Sequence, residues 1–315
     1  MQQVSGTKKQ LPISKLDGWL NIDKPPGITS YQVVARLKYL TGQRHIGHAG
    51  TLDPAATGVL PIAFGKAART IEFLHRVSKT YRAIIELGVE TDTLDAEGKI
   101  VFRHNPSGVS RSDMEATLGQ FIGDILQVPP LFSALKINGR PLYELARRGE
   151  TVEVVPRKVT IYCIELIEFA SPLVTIEVEC GSGTYIRSLA RDVGQTLGVG
   201  GHLKSLCRTR YGPFDIMNAV AFAGLQSASD VEASLLPVTA GIGYLPMLTL
   251  NEDIARKVAN GILPPEFLSQ LNCETAYSLY WPNVSLLGLI DIGIAGKYRL
   301  KVLESLNNVP GRADS

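Results

Sequence analysis

The sequence predicts an α+β fold, and three observations carry that reading. Strand-like and helix-like segments are mixed without the regular βαβ beat of a doubly wound sheet. No segment repeats. The 315 residues are 45% hydrophobic and 20% charged, the balance of a globular chain with a sizeable core.

The elements follow in order. Residues 1–16 read as a flexible tail, because MQQVSGTKKQLPISK is polar and basic and lacks the apolar stretch of a secretory signal. GWLNID, 18–23, predicts a short strand. Lys24-Pro25-Pro26-Gly27 must then turn, since proline fixes φ and glycine accepts what proline leaves. Thr29 and Ser30 can cap a helix over 31–40 with Val33, Val34, Leu37 and Leu40 on one face and Gly42 at its stop. A strand at 58–64, a helix at 67–76 and an alternating strand at 80–87 come next. Periodicity then predicts helices at 112–121, 141–148 and 184–197, and strands at 152–155, 159–168, 173–180 and 206–211. QVPPLFSALKING, 127–139, reads as an ordered loop leading into a basic helix, YELARRGE, a pair suited to gripping a ligand. Near residue 245 the texture changes. LTLNEDIARKVANG reads as a capped helix ending at Gly261, and SLLGLIDIG and YRLKVL read as short strands. A main domain at 17–244 and a small second domain at 245–315 are expected.

Net charge is +2, but residues 1–80 hold eleven Lys/Arg against four Asp/Glu, which leaves them at +7 and the remainder at −5. A basic face on a near-neutral chain points to a polyanion partner. From 216 onward six Lys/Arg face nine Asp/Glu, so that region adds no basic face. The longest uncharged run, 233–251, contains Pro237 and Pro246 and is not expected to span a membrane. Four cysteines without a CxxC pair argue against a metal site and a disulfide framework, and for a reducing cytoplasm.

One stretch stands out chemically: GHAGTLDPAATGVL, a single carboxylate, Asp53, among small residues. A lone carboxylate suits a nucleophile, a base or a turn-starting cap. Ala55 denies the Asp-x-Asp of an aspartyl-phosphate enzyme. Gly65-Lys66-Ala67 lacks the Ser/Thr of a phosphate-binding loop, and GSGTY lacks the third glycine of a dinucleotide site. Small neighbours Ala49, Gly50, Ala55, Ala56 and Gly58 would leave room for a close-approaching ligand.

Six blocks occur in one order: GWLNIDKPPGITS, RHIGHAGTLDPAATGVLPIAFGKAART, KTYRAIIELGVETDTLDAEG, QVPPLFSALKINGRPLYELARRG, CGSGTYIRSLARDVG and LKSLCRTRYGPF. Together they resemble the TruB family of tRNA pseudouridine-55 synthases of the bacterial type, over roughly residues 17–215. The resemblance implies a mixed, largely antiparallel central sheet with flanking helices, and a small PUA-like C-terminal β-domain. It implies isomerisation of a flipped T-loop uridine in tRNA to its C-glycoside, with no cofactor, no metal and no obligate protein partner.

Residue by residue, the resemblance makes Asp53 the catalytic aspartate, Arg187 the arginine that pairs with it, and Tyr81 the tyrosine that stacks on the target base. Tyr185 and Leu206 match further pocket walls, and Asp95 matches an acid near the site. His48 matches the histidine that fills the space left by the extruded nucleotide. Lys136, Arg140, Arg147 and Arg148, in the thumb-like block at 129–149, would meet phosphates. Lys24 and Pro25 match a structural turn. Cys207 and Ala68 depart from the family pattern, which carries an arginine pair at 207–208 and often a threonine at 68. Three other readings remain open on sequence: a non-catalytic RNA binder, a guide-RNA-dependent relative, and a carboxylate hydrolase of small molecules.

Overall fold

The computed structural model describes residues 15–133, 135–137, 139–148, 153–283, 285–293 and 297–304. The first half runs β1 (Gly18–Lys24), α1 (Ser30–Thr41), β2 (Ile46–His48), β3 (Thr57–Phe64), α2 (Ile71–Leu74), β4 (Lys79–Leu87), β5 (Val89–Thr91), β6 (Ile100–Arg103), α3 (Arg111–Gly119), β7 (Gly123–Gln127), β8 (Lys136–Ile137), β9 (Arg140–Pro141) and α4 (Leu142–Arg147). The second half runs β10 (Arg157–Ala170), β11 (Leu173–Cys180), α5 (Ile186–Thr196), β12 (Gly201–Tyr211), β13 (Phe214–Asp215), β14 (Val220–Ala221), α6 (Ala228–Ala233), β15 (Met247–Thr249), α7 (Glu252–Ala259), α8 (Pro265–Leu268), β16 (Ala276–Tyr280), β17 (Leu286–Ile292) and β18 (Tyr298–Val302).

The central sheet has the order β14-β1-β3-β12-β4-β11-β10-β7, with β13 and β2 at its margins. It is mixed but largely antiparallel: β1–β14 and β3–β12 are the parallel pairs. Alternation sets its two faces. In β4, Tyr81, Ala83, Ile85 and Leu87 turn to the main core, where they meet Val33 and Leu37 of α1 and Ile186, Leu189, Ala190 and Val193 of α5. That spacing in α5 puts one apolar stripe on the sheet. Trp19, Val59, Ala63, Tyr211 and Phe214 form a second cluster on the other face. The sheet is covered on both sides where β1, β3 and β12 meet, so a charged side chain there must find its partners inside the protein.

A separate four-stranded sheet, β15-β16-β17-β18, closes on its own core of Leu250, Val258, Phe267, Leu279, Leu287 and Ile290. It joins the main sheet through a cluster of Phe73, Ile242, Leu245, Ala276, Leu289 and Leu303. Ion pairs ring that cluster: Arg76–Asp291 at 2.6 Å, Arg299–Glu72 at 3.1 Å, and Lys66 with Glu304. Part of the N-terminal basic surplus is therefore spent on these acids rather than on an outside polyanion.

The α1 expectation holds to its caps. Thr29 accepts from Gln32 N, and Gly42 closes the helix at φ +67°. Four local readings need correction. Leu16, placed in the tail, is buried, and its backbone exchanges two 2.8 Å hydrogen bonds with the Gln43 side chain. The helix expected at 67–76 is a 3-10 stretch over Gly65–Thr70 and the short α2. Its start is pinned where Lys66 N donates to Asp17 Oδ1 at 2.6 Å, and Thr70 Oγ1 tightens it onto Ala67 O. Residues 153–156 lie outside any strand; β10 begins after Pro156, which has no N–H for a ladder. The loop at 127–139 contains a strand end and one arm of the β8–β9 hairpin.

No helix among the described residues is long and apolar enough to cross a membrane. Nor does any group of three or more His, Cys, Asp or Glu among them sit where it could hold a metal ion. All four cysteines are free thiols.

Candidate active site

Asp53 sits in the turn between β2 and β3, and buried side chains hold that turn by its carbonyls. Lys24, fully buried, donates from Nζ to the carbonyls of Pro25 and Ile28 at 2.8 Å and of Pro54 at 3.1 Å. Ser30 Oγ, at the start of α1, donates to Leu52 O and accepts from Leu52 N. Arg208 Nη2 donates to Gly50 O at 3.1 Å, while Tyr211 Oη donates to Ala49 O at 3.0 Å. An isolated turn of small residues would sample many conformations; here the backbone at Ala49, Gly50, Leu52 and Pro54 has fixed partners on either side of the acid.

The small residues divide between packing and ligand clearance: Ala55 and Ala56 border a small pocket beside Asp53. Ala49 and Ala56 are buried in the two core clusters. Gly58 has φ +96°, and a Cβ there would lie 2.3 Å from Arg208 O on the neighbouring strand. That corrects the expectation that Ala49 and Gly58 clear space for a ligand. Gly50, by contrast, lines the cleft.

Opposite stands Arg187, in the first turn of α5. Its Nη2 lies 3.0 Å from Asp53 Oδ2, and its Nη1 lies 3.5 Å from Asp95 Oδ2. Nη2 also donates to Phe132 O at 3.0 Å and Nη1 to Thr93 O at 3.4 Å. The guanidinium is 8% exposed, whereas the Asp53 side chain is 43% exposed and opens onto the cleft. Even so, the surrounding protein mass dominates: burial raises the Asp53 carboxyl above the ordinary carboxylate range, Arg187 pulls it back down, and the Asp95 charge pushes it up again. Asp95 is itself held, with Thr93 Oγ1 donating to its Oδ1 at 2.5 Å.

The cleft encloses about 640 Å³. Asp53, Tyr81, Tyr185, Arg187 and Leu206 line it together. Asp95 borders a smaller pocket of about 80 Å³ that shares Asp53, Arg187 and Leu206. Tyr81 is buried, and burial raises its phenol. His48 lies on β2 opposite Ile62, outside the lining of both cavities. Its Nδ1 is buried without a hydrogen-bond partner among the described residues, and burial, then Arg208, lowers its pKa. Arg140 and Arg148 are exposed. The side chains of Lys136 and Arg147 lie outside the described residues.

Sequence reasoning missed four members of this site. Lys79 is buried in the cleft wall, donates to Ser182 Oγ at 2.8 Å and sits 4.5 Å above the Tyr211 ring; burial lowers it to about 8. Arg208 is buried and donates from Nε to Val59 O at 2.7 Å. Gln127 clamps the entry to α5, accepting from Tyr185 N at 2.8 Å and donating to Tyr185 O at 3.1 Å. Ser133 lines the cleft from the other wall. A signal existed for two of them: Lys79 is two residues from Tyr81 and Arg208 two from Leu206, so each shares a strand face with a residue already chosen.

Comparison with known proteins adds the lineage. The family model described as TruB family pseudouridylate synthase (N terminal domain) matches residues 38–186, and the one described as tRNA pseudouridylate synthase B C-terminal domain matches 187–240. A Dehalococcoides mccartyi protein named tRNA pseudouridine synthase B is 48% identical over 272 residues, 83% of this chain and 91% of that protein. A Chromohalobacter salexigens protein of the same name is 40% identical over 284 residues, 90% of this chain and 92% of its own length. Among solved structures, a chain of a Cbf5-Nop10-Gar1 complex matches at TM-score 0.70 and 25% identity, covering 92% of this chain and 86% of that one. A chain of the archaeal box H/ACA sRNP Nop10-Cbf5 complex matches the fold at TM-score 0.68, covering 95% of this chain and 89% of that one.

Proposed function

The chain belongs to the TruB family of pseudouridylate synthases, which are isomerases, and from that premise we propose that it converts uridine 55 in the T-loop of tRNA to pseudouridine. The C1′–N1 bond of the uridine breaks, the freed uracil turns, and a C1′–C5 bond forms. C5 gives up its hydrogen and N1 takes a proton, so atoms balance without a cofactor. The observation that carries this reading is the Asp53–Arg187 pair at 3.0 Å on the wall of a cleft of about 640 Å³.

The roles rest on the family likeness, and the shared cleft lining of Asp53, Tyr81, Tyr185, Arg187 and Leu206 supports them. Asp53 supplies the carboxylate that acts on the nucleoside, and Arg187 keeps it ionised and aimed. A base taken out of its stack needs a replacement surface, and Tyr81, Tyr185 and Leu206 offer aromatic and apolar walls worth about 1–3 kcal/mol per stacked base. His48 fills the gap left in the RNA, and Arg140, Arg148, Lys136 and Arg147 meet phosphates. The catalytic unit is residues 17–244, with the C-terminal β-domain at 245–315; the separate core of β15–β18 supports that division. The relatives named for tRNA, at 40–48% identity, favour a stand-alone tRNA enzyme over a guide-RNA-dependent one.

Purified protein incubated with unmodified tRNA, followed by mapping of pseudouridine at single-nucleotide resolution, tests the assignment. A single new pseudouridine at position 55, on bare T-arm transcript as well and without protein partners, is the expected result. Modification elsewhere, or none without a guide RNA, would refute it.

A further inference from the structure

Among the described residues, one buried polar side chain of the cleft lining has no partner. Ser133 is 4% exposed, and its Oγ makes no hydrogen bond among the described residues. A buried hydroxyl left unpaired costs stability, so such groups are rare in folded proteins, and one that faces a cleft is placed to be completed by a ligand.

The segment that carries Ser133 is fixed by α5. Ser188 Oγ donates to Val128 O at 2.8 Å and Arg191 Nη2 to the same carbonyl at 3.3 Å. At the other end, Arg187 Nη2 donates to Phe132 O at 3.0 Å, and the same nitrogen holds Asp53 Oδ2 at 3.0 Å. The residue next to Ser133 and the reacting carboxylate thus share one guanidinium nitrogen. Whatever Asp53 acts on lies within reach of this wall.

We propose that Ser133 Oγ hydrogen-bonds a neutral polar group of the target nucleoside, either its ribose 2′-hydroxyl or the imide edge of its uracil. A serine hydroxyl both donates and accepts, which suits either group. The phosphates of the RNA are better matched by exposed cations such as Arg140 and Arg148. The inference rests on the nucleoside reading above and adds a specificity contact to it.

The test compares wild type with Ser133→Ala. On T-arm RNA carrying uridine, kcat/KM should fall roughly five- to tenfold, the ordinary worth of one neutral hydrogen bond. The thermal midpoint should hold or rise, because the lost hydroxyl had no partner in the folded protein. Binding is then measured with RNAs bearing 2′-deoxyuridine or 3-methyluridine at the target. If the contact is to the 2′-hydroxyl, the variant's deficit disappears on the deoxy RNA alone; if to the imide edge, on the methylated RNA alone. A kcat/KM within twofold of wild type overturns the proposal. So does a lower thermal midpoint, or a deficit that persists on both modified RNAs, since each marks a packing role. Wild-type turnover of the uridine RNA is the control: its absence would refute the family reaction, not the Ser133 contact.

Discussion

The two walls of the cleft are built differently. The wall that carries Asp53 is a turn between sheet strands, and Lys24, Ser30, Arg208 and Tyr211 hold its backbone from beneath. The facing wall, Phe132, Ser133 and Leu135, is held by the Arg187–Phe132 bond and leads into a hairpin with two-residue strands and a six-residue helix that buries Leu142 and Leu145. On the proposed reading, one wall presets the position of a reacting atom and the other offers side chains to a large ligand. Positioning within a fraction of an ångström matters for chemistry, whereas phosphate contacts tolerate adjustment. Mutations on the two walls should therefore separate turnover from binding.

The largest effect belongs to the acid. Asp53→Asn should cut release of tritium from 5-tritiated uridine tRNA by roughly 10³-fold or more, with RNA affinity within about twofold of wild type. A variant that turns over normally would remove the chemistry from this wall altogether.

Arg187 joins both walls, so Arg187→Met should lose both functions, with kcat down by about 10²-fold and KM raised severalfold. The pH profile sharpens the point. The proposed role of Asp53 requires it to be ionised. Burial already lifts its carboxyl, so the acid limb of wild-type activity should lie above the ordinary value of about 3.9. Arg187 opposes that lift, and its removal should move the limb to still higher pH. A limb that stays in place would mean Arg187 does not set the ionisation of Asp53.

Lys24 tests preorganisation without touching the ligand. Lys24→Met strips its donor from the carbonyls of Pro25, Ile28 and Pro54, and should cost about 2–4 kcal/mol by denaturant titration. Turnover should fall about tenfold as the Asp53 turn relaxes, with little change in KM. Burial lowers the folded-state pKa of Lys24 to about 8. Unfolded, the amine binds its proton up to about 10.4, so the unfolded chain holds more protons in between and this group's contribution to stability rises with pH over that window. Lys79, also lowered to about 8, acts in the same direction. Lys24→Met should flatten part of the rise between pH 8 and 10.

What could be read before the structure divides along the same line. Local signals were legible: Thr29 and Gly42 bound α1, and alternation marks β4 with Tyr81 facing inward. The constellation of Asp53, Tyr81, Tyr185, Arg187 and Leu206 was reached through family likeness, because these residues come from four separate stretches that only the fold brings together. The buried cations were not legible. Lys24 and Lys79 counted toward a basic face, Lys24 also toward a structural turn, and Arg208 stood out only as half of an arginine pair; the packing on both faces of the sheet shows that all three are buried. β16 was missed because AYSLY is buried almost throughout between two partners, so it shows no polar alternation. Gly58 was misread for a related reason: its need for positive φ comes from the strand beside it.

The smallest effect should come from the facing wall. Arg140 is exposed on the hairpin, and no ion pair holds it among the described residues. If it meets one RNA phosphate, Arg140→Ala should weaken T-arm binding by a fewfold at physiological salt. It should also lower the slope of log affinity against log salt by about 0.7–0.9, the share of one released counterion. Turnover at saturating RNA should stay at the wild-type level, because the Asp53 turn and its supports are untouched. An unchanged salt slope would take Arg140 out of the phosphate path. A fall in saturated turnover would be more damaging, since it would show that the gripping wall also sets the geometry of the reacting carboxylate and that the division of labour between the walls is wrong.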